Sequence, residues 1–343
     1  MIKSNNTIMD IFFTFDNRYI QHAAVTIASI LKNAATDDNI SIHILSSDLS
    51  QENKNIIERL NSIKQFVIEF IHVNDETFKK YKTPDYISSS ASLYRYLIPQ
   101  VRLDIDKALY LDCDIVVRRS LRELFDTDLE ERYIAGVEDF HWMMGNKRLK
   151  LNSSINEPYF NSGVLLLNCK KMREDNIFEK LITQSNKLNP KMLEQTDQDA
   201  INIVCAGEKV ILHPKYNLLS CYTDPIYFTS YSEKEMTEAA ENPVIIHYTT
   251  SIKPWIPENF PLNEYAYEYH RYLRLTPFCN DNFQNQVSVM NPKVKRSLEM
   301  LRGNIFARMF YDFFRMFSQL GGLITGLLLV KKYKKDFIER TRI

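Results

Sequence analysis

The strongest constraint on the fold is a regular alternation of strand-length and helix-length patterns through the first 72 residues. The apolar run from Ile8 to Phe15 has the length of a strand and is broken by Asp16-Asn17. Apolar residues then recur at helical spacing through Ala24, Ile27, Ala28 and Leu31, and Ile40 to Leu45 reads as a second strand. Ser50 to Ile63 predicts a polar helix with Asn53, Ile56, Ile57, Leu60 and Ile63 on its inner face, and Phe66 to His72 a third strand. Strands and helices alternating over short connections predict an α/β fold with a parallel sheet covered on both faces. Ligands of such sheets sit outside the carboxyl ends of the strands. Acids at strand ends are therefore the residues to follow.

The stretch Ala108-Leu-Tyr-Leu-Asp-Cys-Asp-Ile-Val-Val117 sets Asp112 and Asp114 between two apolar runs. In extended backbone, residues i and i+2 project to the same side, so both carboxylates can face one ion. Two carboxylates sharing a site repel each other, and a divalent cation removes that cost. The plain alternative is a solvated surface turn, which the hydrophobic flanks argue against. Upstream, Arg95 lies amid aromatics in a short helix over Ser88 to Leu97, where it can reach a phosphate or pair with a core carboxylate. Downstream, the short strand Tyr133 to Val137 ends in Glu138-Asp139.

Further along, Asn161, Ser162 and Gly163 come just before a buried strand. Gly163 would let backbone approach a ligand closely, or simply bend the chain into the strand. Lys170 to Leu188 reads as one charged helix, ended by Asn189-Pro190. Asp197 and Gln198 open the next helix, where acids in a first turn commonly serve as caps. Pro243 to Tyr248 is a strand ending in His247, followed by a loop that carries Thr250, Lys253 and Trp255. Imidazole and carboxylates suit a manganese-like ion, and Lys253 suits a phosphate, although a lone strand-end histidine can be purely structural. The chain has no P-loop and no G-x-G-x-x-G, so a nucleotide would have to be held by acids plus metal.

At 343 residues, 45% hydrophobic and 25% charged, the chain can bury a full-sized core as one large or two average domains. Net charge is zero, so bulk electrostatics name no partner, but its distribution is uneven. Residues 291–343 carry 12 Lys/Arg against 4 Asp/Glu, net +8, which leaves −8 on the rest. Within this tail Ile305, Phe306, Met309, Phe310, Phe313, Met316, Phe317 and Leu320 recur at steps of three and four, the pattern of an amphipathic helix. The uncharged run 316–330 has 15 residues, short of the roughly 20 a membrane span needs. A helix lying in the interface, with Lys331 to Lys335 on anionic lipid, fits better; a hairpin packed on the body or a dimer contact is the alternative. So apolar a tail does not suit nucleic acid. Five widely spaced cysteines, Cys113, Cys169, Cys205, Cys221 and Cys279, without a C-x-x-C pair, read as reduced thiols. With no secretory h-region at the N-terminus, a cytoplasmic location, peripheral on the cytoplasmic face of the membrane, is expected.

Taken in order, these blocks resemble the retaining glycosyltransferases of family 8, which include bacterial lipopolysaccharide galactosyl- and glucosyltransferases and are related to glycogenin. The likeness runs from Met9 to Trp255 and is carried by residues 12–19, 92–97, 107–117, 159–168, 197–202 and 247–255. It implies a GT-A type α/β catalytic domain over residues 1–275, with residues 276–343 as a basic, apolar helical tail. It also implies that Asp112, Asp114 and His247 hold Mn²⁺, or Mg²⁺ in its place, against the diphosphate of a UDP-sugar. Asp16 would lie by the uracil and ribose, with Phe15 and Tyr19 as further candidates. Arg95, Asn161 and Ser162 would touch the donor sugar or diphosphate, Asp197 and Gln198 would lie beneath the anomeric carbon, Lys253 would grip the diphosphate, and Asp139 would line the sugar or acceptor pocket. Two positions depart from the family pattern. Thr250 stands where many relatives have a Gly whose N–H meets a phosphate, and Asn17 where a second Asp is frequent. The implied activity is transfer of Glc or Gal from a UDP-hexose to an oligosaccharide or glycolipid acceptor such as lipopolysaccharide core. The alternative is an inactive sugar-nucleotide-binding or membrane-associated subunit.

Overall fold

The computed structural model describes residues 7–74, 76, 78, 90–139, 158–187, 196–220, 230–249, 253–256 and 265–279. The tail beyond Cys279, together with Cys221 and Thr250, lies outside these residues. Among the described residues no helix is long and apolar enough to cross a membrane. The strands are β1 (Met9–Thr14), β2 (Ile40–Ser46), β3 (Val67–His72), β4 (Lys107–Leu111), β5 (Ile115–Val117), β6 (Ile134–Glu138), β7 (Phe160–Asn168), β8 (Lys209–Ile211), β9 (Leu218–Leu219) and β10 (Ile245–His247). A seven-stranded sheet runs in the order β3-β2-β1-β4-β7-β6-β8, and a second sheet of three strands runs β5-β10-β9.

The large sheet is parallel except for β7, which is antiparallel to both β4 and β6. Its strands alternate between two cores as a period of two demands. Met9, Ile11 and Phe13 of β1, Leu109 and Leu111 of β4, and Val164 and Leu166 of β7 enter one core, with the helix Ile20–Asn33 packed over them. Phe12, Ala108, Tyr110, Leu165 and Leu167 enter the other, which is closed by Cys169, Met172, Ile177, Leu181, Ala200 and Ile201. Each large apolar side chain buried this way contributes about 1.5–3 kcal/mol. That burial offsets the desolvation of the acids and the arginine described below.

Two elements differ from the sequence expectation. The predicted single helix over Lys170 to Leu188 is two, Cys169–Glu174 and Ile177–Lys187. Asn176 at φ 53° turns the chain between them, a left-handed conformation that Asn tolerates better than most residues. Asn161, Ser162 and Gly163 do not precede a strand but lie inside β7, buried with it. Their polar groups are accommodated because the site itself supplies partners.

Candidate active site

The two acids fall where the chain leaves one sheet and enters the other. Asp112 follows β4, and its N–H donates to the Gly163 carbonyl across the β4–β7 ladder at 2.8 Å. Asp114 immediately precedes β5, which pairs antiparallel with β10 so that His247 lies opposite Ile115. The Tyr248 N–H donates to the Asp114 carbonyl at 2.9 Å. That register is why a histidine more than 130 positions away in sequence meets the acidic pair. Nε2 of His247 is 3.2 Å from Asp114 Oδ1 and 3.8 Å from Asp112 Oδ2. One ligand atom from each residue lies within 4.8 Å of the others.

The backbone between the acids is braced from behind. Thr26 Oγ1, on the helix Ile20–Asn33, donates to both the Cys113 and the Ile115 carbonyls at 2.8 Å. Three residues on, Ser29 Oγ accepts the Val117 N–H at 2.9 Å. These hydroxyls project from an otherwise apolar helix face, which is the signal by which the sequence could have flagged them.

Each carboxylate is oriented by its neighbours. Tyr110 OH donates to Asp112 Oδ1 at 2.5 Å and Arg95 Nη2 donates to the same oxygen at 3.2 Å, turning Oδ2 towards His247. Lys253 Nζ lies 2.5 Å from Asp114 Oδ2 and also donates to the Tyr248 carbonyl. Burial raises the Asp114 carboxyl pKa, but the Lys253 ammonium and His247 outweigh it and hold the group well below the usual carboxylate range. Burial works against the Arg95 charge, yet the Tyr110 hydroxyl and the carboxylates of Asp112 and Asp197 more than restore it. Cys113, between the acids, is pushed well up by burial and stays a thiol.

Arg95 answers both readings of its sequence: it is a buried partner of acids and it faces the site. It spans Asp112 and Asp197 Oδ2, the latter at 3.3 Å, while Nη1 donates to the Ser162 carbonyl at 2.6 Å and the guanidinium lies 4.5 Å from the Tyr110 ring centroid. Gln198 Oε1 accepts the Ser162 N–H at 2.9 Å, and Gln198 Nε2 donates to Asp139 Oδ2 at 2.9 Å. Asn161 Nδ2 donates to the same Asp139 oxygen at 3.1 Å. Asp197 and Gln198 thus sit in the first turn of the helix Thr196–Val204 with their side chains engaged across the sheet rather than only capping. The structure brings together Arg95, Asp112, Asp114, Asp139, Asn161, Ser162, Asp197, Gln198, His247 and Lys253.

Asp16 ends the β1 segment, accepts from the Arg18 N–H at 3.0 Å and ion-pairs with the Arg18 guanidinium at 2.5 Å. Phe15 is buried in the core, whereas Tyr19 is 41% exposed and its hydroxyl pKa is raised by burial, with Asp114 and Lys253 close enough to act on it. Asn17 is structural. It donates to the Asp48 carbonyl and accepts from Ser50 N–H at 2.9 Å and Asn53 Nδ2 at 2.7 Å, a pattern an Asp could not complete. Lys253 is itself positioned: Trp255 stacks on His22 with centroids 3.7 Å apart, and His270 Nε2 lies 2.8 Å from the Pro254 carbonyl.

The ligand set fits a divalent ion. Two hard carboxylate oxygens and an imidazole nitrogen converge beside Gly163, a donor set that suits a divalent ion of the transition series. Gly163 supplies the clearance, since a Cβ there would lie 2.2 Å from His247 Cε1 and 2.6 Å from Asp112 Oδ2.

Residues 10–258 match the glycosyl transferase family 8 model. The chain belongs to that family. Among curated relatives, it is 31% identical to the lipopolysaccharide 1,2-glucosyltransferase of Escherichia coli over 245 residues, 70% of this chain and 71% of that protein. It is 29% identical to general stress protein A of Bacillus subtilis over 278 residues, 78% of this chain and 94% of that one. Among solved structures, the galactosyltransferase LgtC, in complex with donor and acceptor sugar analogues, superposes with a TM-score of 0.69 at 25% identity, covering 81% of this chain and all of LgtC. This family 8 glycosyltransferase therefore has the α/β GT-A-like architecture its sequence implies, with a central, mostly parallel sheet flanked by helices.

Proposed function

We propose that this glycosyltransferase is a Mn²⁺-dependent, retaining hexosyltransferase that moves Glc or Gal from a UDP-hexose to an oligosaccharide or glycolipid acceptor of the cell surface, lipopolysaccharide core being the model acceptor. The observation that carries the reading is the convergence of Asp112, Asp114 and His247 within 4.8 Å, flanked by the cations Arg95 and Lys253. A divalent ion held by Asp112, Asp114 and His247 would supply positive charge to the departing diphosphate. Lys253 adds a fixed ammonium where leaving-group charge develops, and Arg95 does so from the other side. Tyr19 offers an exposed ring beside the acids for the uracil, with Asp16 next to it for the ribose. Asp139, Asn161, Ser162 and Gln198 form one hydrogen-bonded wall that presents amide and carboxylate groups to sugar hydroxyls.

Retention requires either a carboxylate nucleophile on the face opposite UDP or front-face attack assisted by the leaving phosphate. Asp197 is ion-paired to Arg95, which lowers its nucleophilicity, and the reading favours front-face attack. Trapping a glycosyl-enzyme on Asp197 would overturn that preference. The tail beyond residue 275 is proposed as the element that holds the enzyme on anionic lipid. The decisive experiment follows UDP release from a panel of UDP-sugars with Mn²⁺, with and without EDTA, for the wild type and Asp114→Asn. Turnover with one or two UDP-hexoses, lost on chelation and in the variant, is expected. Undiminished turnover of Asp114→Asn would refute the metal assignment.

A further inference from the structure

Nδ1 of His247 faces Asn217 Oδ1 at 2.9 Å, deep in the protein, where Asn217 is 0% exposed. Which end of each amide is which can be worked out from a backbone donor. The Gly163 N–H can only donate, and it lies 2.9 Å from the Asn161 amide, so that end of Asn161 is its oxygen. Asn217 approaches the same oxygen at 2.9 Å and must offer its NH₂ there. Its own oxygen is then the atom facing His247, and an oxygen in that place needs Nδ1 to carry the proton. Nε2 is thereby the ring nitrogen turned towards Asp114 Oδ1 and Asp112 Oδ2 and the one placed to ligate an ion between them. Two carboxylate oxygens and one ring nitrogen thus converge with the other ring nitrogen already occupied by Asn217.

We propose that Asn217 is the positioning residue that fixes the tautomer and ring orientation of His247, and so sets the affinity of this centre for its divalent ion. The inference rests on the reading that Asp112, Asp114 and His247 hold that ion. Asn217 reaches the ring because the turn Pro214–Tyr216 ends on it, with its N–H donating to the Pro214 carbonyl at 3.1 Å. The chain then runs directly into β9, which pairs parallel with β10 and sets Leu219 opposite His247. Burial excludes water as a substitute for the amide, and an unpaired Nδ1–H would be costly. The same side chain also ties the metal ligands to the sugar wall, because Asn161 Nδ2 goes on to Asp139 and Gln198.

These two tasks separate by mutation. Asn217→Ala removes the acceptor from Nδ1–H and the donor to Asn161 together. Asn217→Asp keeps an acceptor for Nδ1–H, with higher basicity, but sets a carboxylate oxygen against Asn161 Oδ1. Mn²⁺ affinity of the full chain is measured by the electron paramagnetic resonance of free Mn²⁺, alongside His247→Gln. The expected result is about 10- to 100-fold weaker binding for Asn217→Ala, as for other side chains that orient metal ligands. Asn217→Asp should bind Mn²⁺ within a few-fold of wild type while its KM for the donor rises. Protonation of Nδ1 in the metal-free wild-type protein is read from long-range ¹H–¹⁵N correlations of labelled histidine in mildly alkaline buffer, with His247→Gln assigning the signal. Wild-type Mn²⁺ affinity in Asn217→Ala, or an Nδ1 of the wild-type ring that carries no proton, would overturn the role given to Asn217. Equal Mn²⁺ binding by wild type and His247→Gln would instead overturn the metal reading beneath it. If Asn217→Ala fails to melt cooperatively, the wild-type spectrum and Asn217→Asp still decide.

Discussion

Gly163→Ala is the smallest change that should disable the site. The residue is in β7, opposite Asp112, and its backbone is held by the Asp112 N–H on its carbonyl and by Asn161 on its own N–H. A methyl group there would lie 2.2 Å from His247 Cε1, 2.6 Å from Asp112 Oδ2 and 3.0 Å from His247 Nδ1. Ordinary contact begins at 3.4 Å, so the imidazole or the β7 backbone must retreat by about 1 Å. The ring cannot do so without losing Asn217, and β7 cannot without disturbing the β4 ladder. Overpacking of this kind costs about 1–3 kcal/mol of stability. The larger effect is on the metal, because ligand distances in such centres hold to within about 0.2 Å. Mn²⁺ affinity is expected to fall at least about tenfold, comparable to loss of a group that orients a ligand. Urea denaturation reads the first effect and Mn²⁺ titration the second. A Gly163→Ala protein that binds Mn²⁺ as the wild type does would show that the methyl group does not crowd His247 and Asp112.

Three further expectations follow from the same structure. Thr26→Val is isosteric but strands the Cys113 and Ile115 carbonyls, so unfolding free energy in urea should drop by about 1–3 kcal/mol, and a change below about 0.5 kcal/mol would refute the brace. Burial holds His270 down to about 4 against an ordinary 6.5. Between those values the unfolded chain binds the extra proton, so stability falls as pH drops. Between pH 7 and about pH 5 this one side chain should remove about 2 kcal/mol, and His270→Gln, which can still donate to the Pro254 carbonyl, should lose correspondingly less; equal losses would refute it. A chain ending at Asn291 should partition onto acidic vesicles far less than the full chain does, and equal partitioning would dismiss the lipid-binding tail.

Where local pattern decides structure, the sequence was readable. The alternation through β1, β2 and β3 carries its own period, and the apolar flanks of Asp112 and Asp114 mark strands on either side. What it could not show depends on pairing. Nothing local says that β7 runs antiparallel, since a strand buried on both faces reads the same in either direction. Nor does the pattern reveal that β4 and β5 belong to different sheets, which is what brings His247 to the acids. Asn217 was invisible because it precedes a strand of two residues with no periodicity of its own. Tyr110 read as core, and only its place two residues before Asp112 hints that its hydroxyl would reach the carboxylate. The break at Asn176 was hidden inside a charged run that keeps helical spacing on both sides.

The division of the ligands between the sheets has a mechanical consequence. Asp112 is carried at the end of β4 in the large sheet, while Asp114 and His247 ride on the small one, so an ion held by the three would work as a rivet across the seam. Its affinity would then report how firmly β5, β9 and β10 are seated, and slack introduced in that three-stranded sheet would be read as weaker metal binding.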